Sequence, residues 1–168
     1  MSLNGKIARA DGSFDWLDSI PNPEKSDYGY ADFYNSIDTT LMGYTTYDQI
    51  VNMDIKFPYQ NKTNYVLTRK QNLDNTEYVE FVSKNHIDFI RQIKQEEGND
   101  IWLIGGGQVN TMLFNENLID EIQVFVMPIV IPNGIELFEV IPQEKQLKLT
   151  ASKSFSSGVV ELNYKVEV

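Results

Sequence analysis

Short apolar runs alternate with amphipathic segments through the first two thirds of the chain. Apolar runs bounded by polar residues or glycine predict strands, and apolar residues spaced three and four apart predict helices. The strands are predicted at residues 38–42, 64–68, 78–83 and 101–104, and the helices at residues 30–36, 45–53, 86–97 and 108–117. Thr45 is the predicted N-cap of the second helix, and Gly98 is the predicted C-cap of the third.

The pattern changes in the last third of the chain. Residues 121–131 predict a strand that a proline interrupts, and residues 135–138 predict a single helical turn. Residues 147–155 and 159–168 alternate apolar and polar side chains around a Ser-Gly turn. This alternation predicts a closing antiparallel hairpin.

The order of these elements predicts an α/β fold. We expect one mixed, mostly parallel sheet with helices on both faces and a C-terminal antiparallel hairpin, in a single domain over residues 1–168. Residues 11–30 are rich in Asp, Ser, Pro and Gly, which predicts a long surface loop. Trp16 and Leu17 are the predicted apolar anchor of that loop.

The net charge and the apolar runs of the chain indicate which kinds of partner the protein can have. The chain has 14 Lys and Arg against 24 Asp and Glu, a net charge of −10. Nucleic-acid-binding surfaces are normally basic, so no nucleic-acid partner is predicted. The longest apolar run, residues 124–132, contains two prolines and is too short to span a bilayer. With no secretion leader evident, we predict a cytoplasmic protein without a membrane segment.

The chain also lacks the usual metal ligands. It contains no cysteine, and His86 is its one histidine. The lack of cysteine excludes disulfides and thiolate metal sites. Because a zinc site would need carboxylates for nearly every ligand, no metal site is predicted. His86 is predicted to be a surface or capping residue at a helix start.

Three predicted strands end in groups that can bind an anion. Three glycines stand at residues 105–107, a glycine and two threonines lie within residues 43–46, and Thr-Arg-Lys stands at residues 68–70. Taken singly, each has a structural alternative: a tight turn, an N-capped helix or a solvated charged turn. Open α/β sheets bind ligands at the carboxyl ends of their strands. The convergence therefore predicts a dinucleotide site, although the G-x-G-x-x-G fingerprint is absent.

Six stretches, in order along the chain, resemble the dihydrofolate reductase superfamily. The resemblance is specifically to its bacterial branch related to the reductase domain of bifunctional riboflavin-biosynthesis deaminase-reductases. The stretches are SLNGKIA (2–8), DGSFDWL (11–17), TTLMGYTTY (39–47), FPYQNKTNYVLTR (57–69), IWLIGGGQVN (101–110) and LIDEIQVFVMPIVIPNGIELF (118–138).

The resemblance implies an NADPH-dependent reductase with the three-layer dihydrofolate reductase-like fold. In the family, two turns hold the pyrophosphate, one strand end holds the adenosine ribose and its 2′-phosphate, and the first segment lies near the nicotinamide. The implied cofactor-binding residues are Ile7, Ala8, Gly43, Thr45, Thr46, Thr68, Arg69, Ile104, Gly105, Gly106, Gly107 and Gln108. The family also carries a cis peptide between the first two of the three glycines, so we predict one here.

Two departures from the family affect the cofactor site and the sheet. The family's phosphate turn usually reads Gly-Arg, and Tyr44 replaces that arginine. Preference for NADPH over NADH then rests on Arg69, together with Lys70. The chain also starts at the end of the family's first strand, which is normally central and lies beside the strand at residues 101–104.

A third departure affects the substrate. Dihydrofolate reductases carry one acidic residue on the helix before the phosphate turn, and aligning back from Phe33 places that position at Gly29. Asp32 and Asp27 lie nearby but out of register, and they are the candidate catalytic carboxylates. Trp16 and Phe33 are the candidate substrate-binding rings, with core packing as their alternative role.

Three functions remain open. The first is an NADPH-dependent reductase of the riboflavin-pathway type, resembling 5-amino-6-(5-phosphoribosylamino)uracil reductase and acting on a small heterocycle. The second is a dihydrofolate reductase, and the third is a non-catalytic nucleotide-binding relative. The resemblance also implies a homodimer. Residues 118–131 and the terminal hairpin are its candidate interface, since edge strands otherwise need protection.

Overall fold

The computed structural model describes residues 1–167, which divide into two compact units. The central unit comprises residues 29–110, and the terminal unit comprises residues 1–28 together with the residues from 111 onward. The strands are β1 Lys6–Ala8, β2 Ile37–Gly43, β3 Thr63–Leu67, β4 Glu80–Val82, β5 Asp100–Gly105, β6 Glu121–Val126, β7 Ile135–Glu136, β8 Leu147–Ser154 and β9 Val160–Val166. The helices are α1 Tyr30–Ser36, α2 Tyr44–Val51, α3 His86–Ile93 and α4 Gly107–Asn115, and a 3-10 helix covers Asp15–Ser19. No helix within residues 1–167 has the length and apolarity that crossing a membrane requires.

The central unit is built on a four-stranded parallel sheet in the order β4–β3–β2–β5. In this sheet Gly43 lies opposite Leu67, and Met42 lies opposite Gly105. The last four residues of β2, residues 40–43, are all buried. A parallel strand that is covered on both faces needs such a continuous buried run.

Helices cover both faces of this sheet, as the sequence predicted. Met42 and Val66 pack with Ile50 of α2 on one face. Tyr65 precedes Val66 in β3 and therefore points to the opposite face. There its ring contacts Phe89 of α3, with ring centroids 4.9 Å apart. The alternation of side chains along β3 thus decides which helix covers which face.

The terminal unit contains the antiparallel strands. β9 lies between β6 and β8 in a three-stranded sheet, and β1 pairs with β7. β8 and β9 form the predicted hairpin, whose turn is closed by a 2.9 Å hydrogen bond from the Phe155 N–H to the Val159 carbonyl. β8 lies at an edge of its sheet, and all eight of its residues are exposed.

The mixed α/β class with a parallel sheet is confirmed, but hydrogen bonding divides the strands among three sheets rather than one. Within residues 1–167, β5 pairs only with β2 and lies at the edge of its sheet. The strand that the family places beside β5 is not formed by the first residues of the chain. Ser2 instead makes one parallel bridge with Met127, and β1 pairs with β7.

Both predicted helix caps are wrong. The N-cap of α2 is Gly43, and Thr45 lies inside the first turn. α3 ends at Ile93, which is its last buried residue and is followed by exposed ones. Gly98 therefore lies beyond the helix and does not cap it. Its missing Cβ instead leaves room for the side chain of Asp38. A Cβ on Gly98 would lie 2.8 Å from Asp38 Oδ2.

Two predictions in the last third of the chain are also corrected. The predicted helical turn at residues 135–138 is wrong, because Ile135–Glu136 pairs with β1 as strand β7. A short apolar run fits a helix or a strand equally well, and the available pairing partner decides between them. The predicted strand at residues 121–131 ends at Val126, shortly before a proline that cannot donate to a strand ladder.

Candidate functional site

Three neighbouring strand ends carry the groups that the sequence predicted for anion binding. β3, β2 and β5 are adjacent and parallel. Residues 68–70, 43–46 and 105–108 therefore all leave the sheet at the same edge. Because this is the edge at which open parallel sheets bind ligands, the three segments form one candidate site. We call them the strand-end cluster.

The end of β2 leads directly into α2. Gly43 has an extended backbone, with φ −78° and ψ 157°, and Tyr44 is the first helical residue. The first-turn N–H groups of a helix have no acceptor within the helix, and they lie at the positive end of its dipole. Thr45 and Thr46 add two hydroxyls, and the first turn contains no acidic residue. This helix start favours an anion.

Gly43 also allows α2 and α4 to begin close together. A Cβ on Gly43 would lie 3.0 Å from Cγ2 of Val109 in α4, which is tighter than ordinary van der Waals contact. A Cβ on Gly106 would lie 3.5 Å from Thr46 Oγ1, which is an ordinary contact distance. The first turns of the two helices are therefore neighbours, and residue 43 has little room for a side chain.

The peptide between Gly105 and Gly106 is cis, as predicted from the family resemblance. Gly105 has a φ of 117°, which residues with a Cβ rarely adopt. α4 begins at Gly107, and its first turn again contains no acidic residue. Ile104, just before the glycines, packs against the apolar cluster of the central unit.

Arg69 connects the two outer segments of the strand-end cluster. Its Nη2 donates to Gln108 Oε1 at 3.0 Å, which joins the turn after β3 to the first turn of α4. Thr68 is buried, and its Oγ1 accepts a 3.0 Å hydrogen bond from the Lys70 N–H. These bonds fix the turn while the guanidinium stays exposed.

His86 anchors the same turn from the start of α3. It is the first residue of α3, as predicted, but its role differs from the predicted surface or capping one. Its Nε2 lies 3.1 Å from the Thr68 carbonyl and 3.0 Å from the Val82 carbonyl. Because both partners are acceptors, Nε2 carries the proton in this arrangement. The sequence could place His86 at a helix start but could not show which carbonyls it reaches.

Trp16 lies in the terminal unit, in the 3-10 helix Asp15–Ser19, and is 2% exposed. Within residues 1–167, its Nε1 is the one buried side-chain nitrogen or oxygen without a hydrogen-bond partner. Leu17 is 37% exposed, so Trp16 alone anchors the loop. Asp27 is an exposed residue of the same loop.

The remaining predicted site residues are divided between the two units. Phe33 lies on α1, half-buried, with its ring edge-on to Trp102 at a centroid distance of 5.2 Å. That contact is ring packing between two half-buried side chains, and it leaves the substrate role of Phe33 a prediction. Asp32 is exposed in the first turn of α1. Ile7 and Ala8 are half-buried in β1. The binding and catalytic roles of all these residues stay predictions.

A family profile for the RibD C-terminal domain matches residues 1–161. The chain belongs to the RibD C-terminal domain family. The uncharacterized protein YwjB of Bacillus subtilis (strain 168) is 38% identical to this RibD-family chain over 164 residues, which cover 98% of the chain and 92% of YwjB.

Solved structures agree with this assignment. The "Putative riboflavin biosynthesis protein" of Shewanella sp. PV-4 is 27% identical, with a TM-score of 0.88, and the match covers 100% of this chain and 96% of that one. The diaminohydroxyphosphoribosylaminopyrimidine deaminase/5-amino-6-(5-phosphoribosylamino)uracil reductase of Thermotoga maritima has a TM-score of 0.72 at 15% identity, covering 99% of this chain and 54% of that one. At that identity the likeness shows the fold alone. The RibD-family chain thus has the dihydrofolate reductase-like fold of a RibD reductase domain.

Proposed function

We propose that this RibD-family protein is an NADPH-dependent reductase that transfers hydride to a small heterocycle. By its family, the expected substrates are ribosylaminopyrimidines of the riboflavin-pathway type and related heterocycles. The strand-end cluster carries the proposal, because three adjacent strand ends and two helix starts converge on one edge of the parallel sheet. NADPH has two linked phosphates and a third on its adenosine ribose, and this edge offers groups for each.

The starts of α2 and α4 suit the pyrophosphate. Neither first turn contains an acidic residue, although the whole chain has a net charge of −10. The helix dipoles and first-turn N–H groups favour phosphate there. Gly43 and Gly106 have no Cβ, which at either position would point toward the neighbouring helix, so the two helix starts lie close enough together for one pyrophosphate to reach both. The residues present therefore fit the group.

Arg69 suits the 2′-phosphate. The other two arginines of the chain, Arg9 and Arg91, each form an ion pair with an aspartate. Within residues 1–167, Arg69 forms no ion pair with a carboxylate and bonds the neutral amide of Gln108 instead. An exposed guanidinium held by an amide keeps its charge available for an anionic ligand.

Bound NADPH would supply the hydride. The protein's part is to hold and orient the nicotinamide and the substrate and to exclude water from them. The family resemblance assigns Ile7 and Ala8 to the nicotinamide, and we assign Trp16 and Phe33 to the substrate. The indole N–H of Trp16 supports this assignment, since a polar substrate atom would give that buried donor a partner.

We assign the proton-donating role to a carboxylate near α1, either Asp32 or Asp27. Both are exposed, and either could polarise or protonate a bound heterocycle. Substitution of each by asparagine separates them. The variant that loses turnover while keeping NADPH affinity identifies the acid, and unchanged turnover in both would remove this role.

We further propose that the protein is a homodimer. β8 is an edge strand whose eight residues are all exposed. Leu149, near its middle, has 51% of its surface exposed. Long, exposed edge strands are aggregation hazards unless they are covered, and the hairpin of a second copy would cover this one.

Titration with NADPH and with NADH, followed by nicotinamide fluorescence, tests the cofactor assignment. We expect tighter binding of NADPH. Arg69→Ala should weaken NADPH at least about tenfold and leave NADH nearly unchanged, because a hydrogen bond to a charged group contributes about 1.5–3 kcal/mol. Arg91→Ala is the matched control, since it removes an arginine from the last turn of α3, and it should bind both nucleotides as the unmodified protein does.

The other outcomes separate the alternatives. If neither nucleotide binds, the reductase proposal is wrong. Binding without oxidation of NADPH by any member of a pterin, pyrimidine and quinone panel would favour a non-catalytic nucleotide-binding protein. Methotrexate-inhibited turnover of dihydrofolate would favour a dihydrofolate reductase.

A further inference from the structure

Lys70 is held against the ring of Tyr44 at the strand-end cluster. Its Nζ lies 3.8 Å from the centroid of that ring, which is within cation–π distance. Tyr44 is the first residue of α2, and Lys70 lies in the turn after β3. The pair therefore bridges two adjacent strand ends. The hydrogen bond from the Lys70 N–H to Thr68 Oγ1 fixes where the lysine side chain leaves the backbone.

The Tyr44 ring is itself held in place. It contacts the rings of Tyr47 and Phe81, with centroid distances of 6.0 Å and 6.3 Å. All three rings pack against the buried cluster of the central unit. A lysine side chain ordinarily loses about 1.5–2 kcal/mol of conformational entropy when it is fixed. Since Lys70 already lies on a fixed ring, it would lose less on binding a ligand.

The charge of Lys70 is not neutralised by the protein. Within residues 1–167, no carboxylate forms an ion pair with Lys70 or with Arg69. A cation–π contact leaves the charge of the ammonium in place, together with the N–H donors that point away from the ring. Two consecutive, uncompensated cations in a chain with a net charge of −10 suit a doubly charged phosphomonoester.

We infer that Lys70, positioned by the Tyr44 ring, binds the ribose 2′-phosphate together with Arg69 and selects NADPH over NADH. The inference rests on the proposed function. Arg69 supplies a planar pair of donors, and Lys70 supplies a second, compact charge. Tyr44 is a positioning residue that acts through Lys70. Tyr44, which replaces the family's arginine, therefore holds Lys70 in place, and Lys70 supplies a positive charge in place of that arginine.

Calorimetric titration with adenosine 2′,5′-bisphosphate, AMP, NADPH and NADH tests the inference. The bisphosphate carries the 2′-phosphate without the nicotinamide. We expect Lys70→Met to weaken the bisphosphate and NADPH about tenfold (about 1.4 kcal/mol) and to leave AMP and NADH within about twofold. Lys84→Met is the matched control, because it removes the same charge just beyond β4, at the same edge of the sheet. Its affinities should not change.

Variants of Tyr44 test the positioning role. Tyr44→Phe keeps the ring and should keep the preference for NADPH. Tyr44→Leu should reduce the preference for NADPH over NADH about threefold, because the ring no longer holds the side chain of Lys70. The double variant Tyr44→Leu/Lys70→Met should be no less selective than Lys70→Met alone. A purely structural role for the ring would instead make the two effects additive.

Each contrary result has a distinct meaning. If Lys70→Met keeps the full preference while Arg69→Ala loses it, the inference is wrong and the proposed function stands. If Lys70→Met weakens NADPH and NADH equally, Lys70 binds a phosphate common to both, and its selective role is wrong. If the unmodified protein binds none of the four ligands, the proposed function and the inference fall together.

Discussion

At the residue scale, Trp16 departs most clearly from ordinary core packing. Its side chain is 2% exposed, and its indole N–H has no partner within residues 1–167. A buried donor without an acceptor costs about 1–3 kcal/mol. The sequence predicted Trp16 as an anchor and a substrate-binding ring. It could not reveal the unpaired N–H, because that depends on which acceptors the rest of the fold places nearby.

Trp16→Phe should therefore separate stability from binding. We expect the free energy of unfolding in urea to change by less than about 1 kcal/mol, because removal of the unpaired donor offsets the small cavity that remains. Substrate KM should rise about tenfold, since the substrate loses a donor. Trp16→Ala is the comparison, with an expected loss of about 3–5 kcal/mol of stability. A loss above about 2 kcal/mol in Trp16→Phe with unchanged KM would make the indole purely structural.

Gly43 allows α2 and α4 to begin close together, and Gly43→Ala tests whether a side chain there would push them apart. The φ of −78° suits alanine, so any cost must come from the contact with Val109 Cγ2 at 3.0 Å. We expect about 1–3 kcal/mol of destabilisation by overpacking, together with about tenfold weaker NADPH binding. Unfolding in urea and nicotinamide fluorescence measure the two effects.

Val109→Ala in the same chain supplies the control for this prediction. It removes the methyl group that the new Cβ would meet, so the double variant should recover most of the lost NADPH affinity. Val109→Ala alone reports the cost of the cavity. If the double variant binds no better than Gly43→Ala, then the close approach of α2 and α4 does not explain the glycine.

At the element scale, apolar periodicity was enough to predict every strand and helix of the central unit. Most residues of β2 and β3 are buried, and α2 and α3 bury Ile50, Ile90 and Ile93, so there the local pattern reflects the final environment. The prediction failed at residues 135–138, where pairing with β1, near the other end of the sequence, decided the structure. The clustering of three strand ends could also be predicted, since parallel strands share an edge. The contact of His86 with the carbonyls of Thr68 and Val82 could not be predicted.

Asp38 connects β2 to the loop before β5, and its acidity can be tested. Its Oδ2 accepts the Asn99 N–H at 2.7 Å, and its Oδ1 accepts the Thr39 hydroxyl at 2.8 Å. Both hydrogen bonds hold the pKa of Asp38 below its ordinary value, and the bond from Asn99 has the larger effect. A carboxyl group with a lower pKa in the folded state stabilises the fold above its unfolded pKa, about 3.9. That stabilisation is lost as the pH falls through the folded pKa.

Asp38→Asn should therefore be less stable than the unmodified protein at pH 7, and the difference should shrink as the pH falls below about 4. The asparagine keeps the size of the side chain but accepts weaker hydrogen bonds, because it carries no charge. Urea unfolding of both proteins between pH 7 and pH 3 gives the comparison. A difference that stays constant over this range would show that the ionisation of Asp38 does not contribute.

At the scale of the whole molecule, the pairing of distant strands is what the sequence revealed least. The alternation of apolar and polar side chains along β8 and β9 was enough to predict their hairpin. The sequence nevertheless predicted one sheet, whereas hydrogen bonds divide the strands among three. Which strands pair depends on partners far apart in the chain, and local pattern carries little of that information. The same difficulty applies to partners in a second molecule, so the exposed edge of β8 has to be tested directly.

Light scattering coupled to size exclusion should give twice the chain mass of 19.3 kDa if a second copy covers β8. Leu149→Lys should shift the protein toward a monomer, because it places a charge on a strand that the partner would cover. Leu149 is 51% exposed, so the monomer itself should lose little stability. Ile55→Lys alters an equally exposed apolar residue of the central unit, 58% exposed, and should leave the dimer intact. An unmodified protein that elutes at the mass of one chain would exclude the dimer, and an intact Leu149→Lys dimer would place the interface away from β8.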